Sequence, residues 1–169
     1  MCGIVGIVGQ EAQVNDTRAI KTMADAVLHR GPDDEAYYRS PNGRIVFGHR
    51  RLSIVGLDDR PTVMSIAKKN DPLNRIAIVF NGEIYNYKEL KKAFLEKGYR
   101  SVSPSDFEVI VFAWEEWGEN CVDHLEGEFA FVLYDEEADA VFMARDRTGL
   151  KPLFYCIHDN RFFFASEPK

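Results

Sequence analysis

The chain has 169 residues, 46% of them apolar and 12% aromatic, so it can bury one sizeable core as a single domain without disulfides. Its net charge of -6 and its lack of any lysine or arginine block argue against a nucleic-acid-binding surface. No apolar run reaches membrane length, and the amino end lacks the basic flank and cleavage site of a signal peptide. A soluble, cytoplasmic protein is therefore expected.

Cysteine and histidine residues are few and widely spaced. The three cysteines, Cys2, Cys121 and Cys156, are an odd number, which suits reduced thiols better than a disulfide framework. The four histidines show neither metal-ligand spacing nor a nearby cysteine partner. A glycine-rich phosphate loop and a dinucleotide fingerprint are also missing from the sequence. We therefore expect no metal and no bound nucleotide in this chain.

The first half of the chain predicts strands around one helix. MCGIVGIVG predicts a buried opening strand, and DTRAIKTMADAVLHR predicts a helix that Asp16 and Thr17 can cap and that HRGPDD ends. EAYYRS and RIVFGHRRLSIV predict two strands joined by a turn at Asn42-Gly43. LDDRPTVMSIAKKND predicts a loop, and RIAIVFNGEIYNY predicts a strand pair that turns at residues 81–82.

The second half predicts two helices followed by strands. NYKELKKAFLEKG predicts a helix ending at Gly98, and in SDFEVIVFAWEEWG a capping box of Ser105 and Glu108 precedes an apolar stripe at helical spacing. FAFVLYD, AVFMARD, LFYCIH and RFFFAS predict four strands, with polar turns at residues 136–139 and 159–160. Hairpin strands around two central helices predict an α+β domain of antiparallel sheets with helices packed over them.

Cys2 stands directly behind the initiator methionine, which makes it a candidate nucleophile. Removal of the methionine leaves a thiol and a free α-amine on one residue. Because α-amines titrate near pH ~8 in model peptides, this amine can take the thiol proton and later protonate a leaving amine. No histidine base is then required. The alternative is a structural cysteine at the start of a strand.

The NGEIYN and RRLSIV stretches offer groups that suit an amino-acid substrate. Asn-Gly is foremost a hairpin signal, but a tight turn also leaves the Gly82 N–H and the Asn81 amide as two donors for an oxyanion. Arg51 can grip an α-carboxylate, and Glu83 and Asp106 can hold an α-ammonium. The alternatives are a solvated strand end for Arg51 and helix-dipole complementation for Asp106.

Taken jointly, these motifs resemble the glutamine amidotransferase domain of glutamine-dependent asparagine synthetases. The resemblance runs nearly end to end and depends on ordered matches: CGIVGI, HRGPDD, GHRRLSIV, NGEIYN, SDFEV, LEGEFAFVLYD, ARDRTGLKPLFY and FASE. It implies the α+β, four-layer αββα sandwich of the N-terminal nucleophile hydrolases, with two antiparallel sheets between helical layers.

The resemblance also implies roles for single residues. Cys2 would form a γ-glutamyl thioester, with Asn81 and Gly82 as its oxyanion hole. Arg30 of HRGPDD lies close to such sites in the family, with stabilisation of a turn as the alternative. Gly56 stands where the family usually has aspartate, and LDDRPTVMS replaces a stretch ending in Gln-Pro. The residues expected to bind glutamine are Arg51, Leu52, Ser53, Ile54, Val55, Asn81, Gly82, Glu83 and Asp106.

The activity implied is hydrolysis of L-glutamine to L-glutamate and ammonia by residues 1–169. The ammonia would pass to a synthetase domain absent from this chain, and ATP and magnesium are expected only there. The expected partners are L-glutamine and that synthetase domain or subunit, not nucleic acid or membrane, while formation of a homo-oligomer stays open. One alternative is a class II amidotransferase serving amino-sugar, purine or glutamate synthesis. Another is a non-catalytic docking or regulatory domain of the same fold, against which the retention of Cys2 argues.

Overall fold

The computed structural model describes residues 1–9, 16–52, 64–102 and 104–168. Short 3₁₀ turns, Leu28–Arg30 and Gly118–His124, follow the first and third helices. The helices and strands of this part of the chain are β1 (Gly3–Val8), α1 (Asp16–Ala26), β2 (Asp34–Arg39), β3 (Ile45–Arg51), β4 (Met64–Ala67), β5 (Arg75–Ile84), α2 (Tyr87–Glu96), α3 (Glu108–Trp117), β6 (Gly127–Asp135), β7 (Ala140–Arg145), β8 (Phe154–His158) and β9 (Arg161–Ala165).

The strands form two antiparallel sheets between helical layers. The first sheet has the order β2-β3-β1-β9-β8, and the second has the order β4-β5-β6-β7. Because side chains alternate along a strand, each sheet contributes side chains to one apolar cluster on each of its faces. One cluster joins α1 to the first sheet, a second lies between the sheets, and a third joins the second sheet to α2 and α3. The predicted four-layer α+β sandwich is confirmed.

Most predicted elements are confirmed. The opening strand, both central helices and the last four strands lie where the sequence patterns predict them. Glycines with positive φ mark the predicted turn and helix end, Gly43 at 72° and Gly98 at 89°. The predicted cap of α1 depends on the side chain of Asp16, which lies outside the described part of the structure. None of the helices in the described ranges is long and apolar enough to cross a membrane.

The prediction of a loop over LDDRPTVMSIAKKND is wrong at residues 64–67. These residues form β4, which pairs antiparallel with the start of β5, Ile66 lying opposite Ile76. β4 is a four-residue edge strand and Ile66 is its buried apolar residue, so its own sequence pattern is too short to stand out. Pairing with β5, rather than local propensity, makes this segment a strand.

The predicted turn at Asn81-Gly82 is also wrong, because β5 runs through both residues without a break. Gly82 lies opposite Phe129 of β6, within a ladder that continues to Ile84. A Cβ atom at Gly82 would stand 2.1 Å from the carbonyl oxygen of Glu128, and its φ is +153°. Glycine is therefore required here by the close approach of β6 and by an extended, positive-φ backbone, not by a hairpin.

The predicted capping box requires Ser105 as the cap residue of α3, but the helix begins at Glu108 and its cap residue is Phe107. Glu108 is fully buried, and its carboxylate accepts hydrogen bonds from the Ser101 hydroxyl at 2.7 Å and from Lys91 at 2.9 Å. A buried acid needs such partners, which lie outside the local sequence window on which the capping prediction rested.

Candidate active site

The first sheet places Cys2 and Arg51 side by side. Ile4 of β1 pairs with His49 of β3, so the same antiparallel register, continued by two residues, puts Cys2 opposite Arg51. Ile4 belongs to the cluster between the sheets, and side chains alternate, so Cys2 and Arg51 also face the second sheet. Both residues are half-buried. The candidate nucleophile and the candidate carboxylate-binding cation therefore share one edge of one face.

Arg30 is held against Cys2, the candidate nucleophile. It belongs to the 3₁₀ turn after α1, and its Nε donates a hydrogen bond to the carbonyl oxygen of Cys2 at 3.1 Å. The Arg30 side chain is only 9% exposed. β1 begins at Gly3, so this contact ties down a residue that precedes the strand ladder.

The register of β5 determines where its backbone groups point. The Tyr85 N–H donates to the Glu126 carbonyl at 2.7 Å, and the Glu136 N–H donates to the Arg75 carbonyl at 3.0 Å. In an antiparallel ladder these contacts assign the odd-numbered residues of β5 to hydrogen bonding with β6. The even-numbered residues, Gly82 among them, therefore direct their N–H and C=O groups to the opposite edge of β5.

Two contacts on that opposite edge flank Gly82. The Phe80 carbonyl accepts a hydrogen bond from His49 Nε2 at 2.9 Å, and the Ile84 N–H donates to Asp106 Oδ2 at 2.9 Å. β4 pairs with β5 only as far as Ile78, so within the described ranges no strand faces Gly82 on this side. Strand alternation, and not the turn that the sequence predicted, thus directs the Gly82 N–H to this edge.

Asn81 supplies a second donor. Its side chain is 2% exposed, and by alternation it points between the sheets, as Val79 does. Its Nδ2 atom is buried without a hydrogen-bond partner in the described part of the chain. Because buried amides are normally satisfied, an orphaned donor next to a backbone N–H is the arrangement expected of a site that receives an oxygen atom.

His49 is a site residue that sequence reasoning missed. It is 4% exposed, and burial, with the Arg51 charge acting in the same direction, lowers its pKa to about 4 against the opposing effect of the Phe80 carbonyl. The ring is therefore neutral near pH 7 and donates through Nε2. Its signal was its alternation with Phe47 and Arg51 along RIVFGHRR, which places a polar ring on the inward face.

Asp106 and Glu83 place two carboxyl groups beside the end of β5. Burial raises the pKa of Asp106, and the nearby Glu83 carboxylate raises it further, while the hydrogen bond from the Ile84 N–H opposes both effects. Asp106 is half-buried and Glu83 is exposed. Neighbouring carboxylates that repel each other are stabilised by a cation between them, so this pair suits an ammonium group.

The structure brings most of the predicted site residues to one end of the sandwich. Cys2 and Arg51 come from the first sheet, and the 81–83 segment and Asp106 lie on or beside β5, while the bond from His49 to Phe80 joins the two sheets at this point. Leu52 directly follows β3. Across the described residues, no group of three or more histidine, cysteine, aspartate or glutamate side chains could hold a metal ion. Four positions of interest lie outside the described residues: Ser53, Ile54, Val55 and Gly56.

Known proteins resemble this chain along its whole length. A family model described as a glutamine amidotransferase domain matches residues 1–169. Asparagine synthetase 3 (glutamine-hydrolyzing) of Bacillus subtilis strain 168 is 39% identical over 170 residues, which cover 100% of this chain and 27% of that protein. Asparagine synthetase 2 (glutamine-hydrolyzing) of the same organism is 40% identical over 175 residues, which cover 100% of this chain and 22% of that protein. The chain thus spans about a quarter of the length of these relatives.

A solved structure shares the fold. Glutamine phosphoribosylpyrophosphate amidotransferase from Bacillus subtilis, complexed with ADP and GMP, superposes with a TM-score of 0.77 at 20% identity, covering 98% of this chain and 42% of that chain. The four layers described above are thus the N-terminal nucleophile hydrolase fold. With the family model matching from the first residue to the last, the chain belongs to the family of glutamine amidotransferase domains.

Proposed function

We propose that this domain hydrolyses L-glutamine to L-glutamate and ammonia through a thioester on Cys2, and that the ammonia serves asparagine synthesis. The observation that carries the proposal is the convergence of Cys2 and Arg51 with the donors of Asn81 and Gly82, joined by the 2.9 Å bond from His49 to Phe80. The asparagine synthetases among the relatives support the choice of acceptor.

The first step forms the thioester. Removal of Met1 frees the α-amine of Cys2, which accepts the thiol proton as Sγ attacks the side-chain amide carbon of glutamine. The amine then passes that proton to the amide nitrogen as the C–N bond breaks, and ammonia leaves. In the second step water attacks the thioester, the amine takes a proton from the water, and the proton returns to Sγ as the C–S bond breaks.

The oxyanion formed in each step is stabilised by Asn81 and Gly82. The Asn81 Nδ2 and the Gly82 N–H are adjacent along β5, and the carbonyl oxygen of the substrate becomes negative as the carbon turns tetrahedral. Donors that are already oriented need no reorganisation during the reaction, and such donors strengthen as the charge develops.

The remaining residues select glutamine. Arg51 binds the α-carboxylate as a bidentate partner, and Glu83 and Asp106 hold the α-ammonium, with the backbone of residues 52–55 lining the pocket. Glutamate is disfavoured because the amide end of the pocket offers no cation to offset a second carboxylate. Both steps use groups of this chain and water, and we assign ATP and magnesium to the synthetase that accepts the ammonia.

A diazoketone analogue of glutamine, with mass spectrometric mapping of the adduct, tests the proposal. We expect loss of Met1, one adduct on Cys2 and equal release of glutamate and ammonia from glutamine. Cys2→Ala should abolish both labelling and turnover, whereas Cys156→Ala, which changes an exposed thiol, should leave both intact. Turnover by Cys2→Ala, or an adduct confined to Cys121 or Cys156, would contradict the mechanism.

A further inference from the structure

Arg30 forms a bridge between the nucleophile residue and the chain segment after β9. Its Nε donates to the Cys2 carbonyl at 3.1 Å, and its Nη1 donates to Glu167 Oε1 at 3.0 Å. The guanidinium is planar and its donors have fixed directions, so these two contacts fix Cys2 and Glu167 relative to each other. The side chains of Arg30 and Glu167 are 9% and 19% exposed, so water weakens this pair less than it would at the surface.

The residue before Glu167 is itself locked to β1. The Ser166 hydroxyl accepts a hydrogen bond from the Ile4 N–H at 2.9 Å, and the Ser166 N–H donates to the Ile4 carbonyl at 2.8 Å. Ser166 is fully buried. His29 Nε2 lies 2.9 Å from the same Glu167 oxygen that Arg30 contacts. Glu167 is therefore a fixed carboxylate, placed by β9 and β1.

We propose that Glu167 is a positioning residue for the nucleophile, acting through Arg30. The inference rests on the proposed function and assigns a role to a residue that does not touch the substrate. Cys2 precedes the first paired residue of β1, and residues at strand ends fray unless they are tied down. Glu167 orients the guanidinium, the guanidinium holds the Cys2 carbonyl, and the thiol and α-amine of that residue thereby keep their directions toward β5.

The alternative is a purely structural ion pair, and the two roles predict different measurements. A structural pair would change the thermal midpoint and leave the kinetics of the folded protein unchanged. A positioning residue would lower kcat while leaving the KM for glutamine nearly unchanged, because Arg51 and the acids that bind the substrate are untouched. A misplacement of about 1 Å by a change remote from the chemistry can reduce a rate by up to ~100-fold.

The test compares Glu167→Ala, Glu167→Gln and the control Glu137→Gln, which changes an exposed acid paired with Lys68. We expect Glu167→Ala to lower kcat by ~10- to 100-fold with KM within about twofold, and Glu167→Gln to recover part of the rate because its amide oxygen still accepts from Arg30. Iodoacetamide alkylation of Cys2, measured in the absence of glutamine against Cys156 in the same molecule, should also change in Glu167→Ala. Glu137→Gln should match the unmodified protein in every measurement.

A double substitution tests the route through Arg30. If Glu167 acts by orienting Arg30, then Arg30→Ala with Glu167→Ala should lose no more kcat than Arg30→Ala alone. Additive losses would overturn the inference, as would unchanged kcat and unchanged relative alkylation in a folded Glu167→Ala protein. The alkylation measurement does not depend on turnover, so a failure of the proposed function, seen as an unmodified protein that releases no glutamate, is distinguishable from a failure of this inference.

Discussion

Asn81 holds a buried amide nitrogen that lacks an acceptor among the described residues, although the residue is 2% exposed. An unsatisfied buried donor lowers stability by about 1–3 kcal/mol. A protein retains such a group where a ligand supplies the acceptor, and the neighbouring Gly82 N–H points to the same use. At the scale of single residues, the Nδ2 donor of Asn81, unpaired among the described residues, therefore indicates where a ligand oxygen would bind.

Asn81→Ala should lower kcat by about 100- to 1,000-fold, the usual effect of removing one oxyanion donor. The KM for glutamine should change little, because the lost bond strengthens only as the oxyanion forms. Steady-state assays of glutamate release measure both constants. Asn70→Ala, which changes an exposed asparagine, is the matched control and should retain the full rate. An Asn81→Ala protein with full kcat would remove this residue from the oxyanion hole.

His49 makes stability depend on pH in a defined direction. Its pKa falls from the ordinary 6.5 to about 4 in the folded protein, so below pH 6.5 the unfolded chain binds a proton that the folded protein does not. The stability linked to His49 is thus complete above pH 6.5 and is lost as the pH falls toward 4, a change of about 3 kcal/mol.

Urea unfolding between pH 4 and 7.5 measures this effect. His49→Gln should flatten the dependence of the free energy of unfolding on pH in this range, and it should lower stability near neutrality because the bond to Phe80 is disturbed. His158→Gln, which changes an exposed histidine, should leave the slope unchanged. Equal slopes for the unmodified protein and His49→Gln would show that folding does not lower the pKa of His49.

At the scale of elements, β5 unites the core and the chemistry. Its odd-numbered residues bond to β6 and fill the space between the sheets, and its even-numbered residues pack toward the helices. The same alternation turns the polar groups of Phe80, Gly82 and Ile84 to one edge. Strand geometry thus directs the Gly82 N–H to the same edge, between the contacts of Phe80 and Ile84.

Gly82→Ala should destabilise the fold and abolish glutamine hydrolysis. A Cβ atom would lie 2.1 Å from the Glu128 carbonyl oxygen and 2.7 Å from the Phe129 Cα, so β6 would have to move. We expect a loss of about 2–4 kcal/mol in urea unfolding, from the clash together with the positive φ.

Gly118→Ala is the matched control for Gly82→Ala. Gly118 also has a positive φ, +57°, but nothing lies within 4 Å of the position that a Cβ atom would take there. Its substitution should cost about 1 kcal/mol, the strain of the backbone alone. Equal losses in the two variants would show that the close approach of β6 contributes nothing.

The sequence predicts a helix or strand well where the apolar pattern extends over many residues. It predicts poorly where contacts with residues distant in the sequence determine the structure. The apolar stripe of α3 and the strand predicted at RIVFGHRRLSIV depend on neighbouring residues, and both are confirmed, the strand over Ile45–Arg51. Asn81-Gly82 has the local signature of a hairpin, but pairing with β6 overrides it. Glu108 has the signature of a capping acid, but its partners, Ser101 and Lys91, lie outside the window of the motif.

At the scale of the whole molecule, the space between the sheets determines the geometry of the site. Cys2 and Arg51 belong to one sheet and Asn81 and Gly82 to the other, so the chemistry depends on how the two sheets pack. The chemistry of the single residues could identify these four as candidate site residues. Their spacing along the chain could not show that they lie close together in the fold. The pairing of β1 with β3, and the bond from His49 to Phe80, bring them together.

Phe164 offers a test of this packing. It is 1% exposed between the sheets, and its ring meets Phe47 edge to face with centroids 5.5 Å apart. Phe164→Ala should lower the free energy of unfolding by about 3–5 kcal/mol by opening a cavity. Phe154→Ala, at a ring that is 44% exposed on β8, should change it far less. Thermal or urea unfolding of the two variants gives the comparison. Similar losses in the free energy of unfolding would show that Phe164 contributes no more to the packed core than the exposed Phe154 does.

The pairing of β1 with β9 has a consequence for protein synthesis. Val5 to Val8 pair with residues 162–165, and Ser166 bonds to Ile4, so the strand that follows Cys2 gains its second neighbour from residues far along the sequence. On the ribosome, the surroundings of Cys2 cannot be completed until about 160 further residues have emerged. Cys2 therefore reaches its final surroundings only after β9 has been synthesised and has paired with β1.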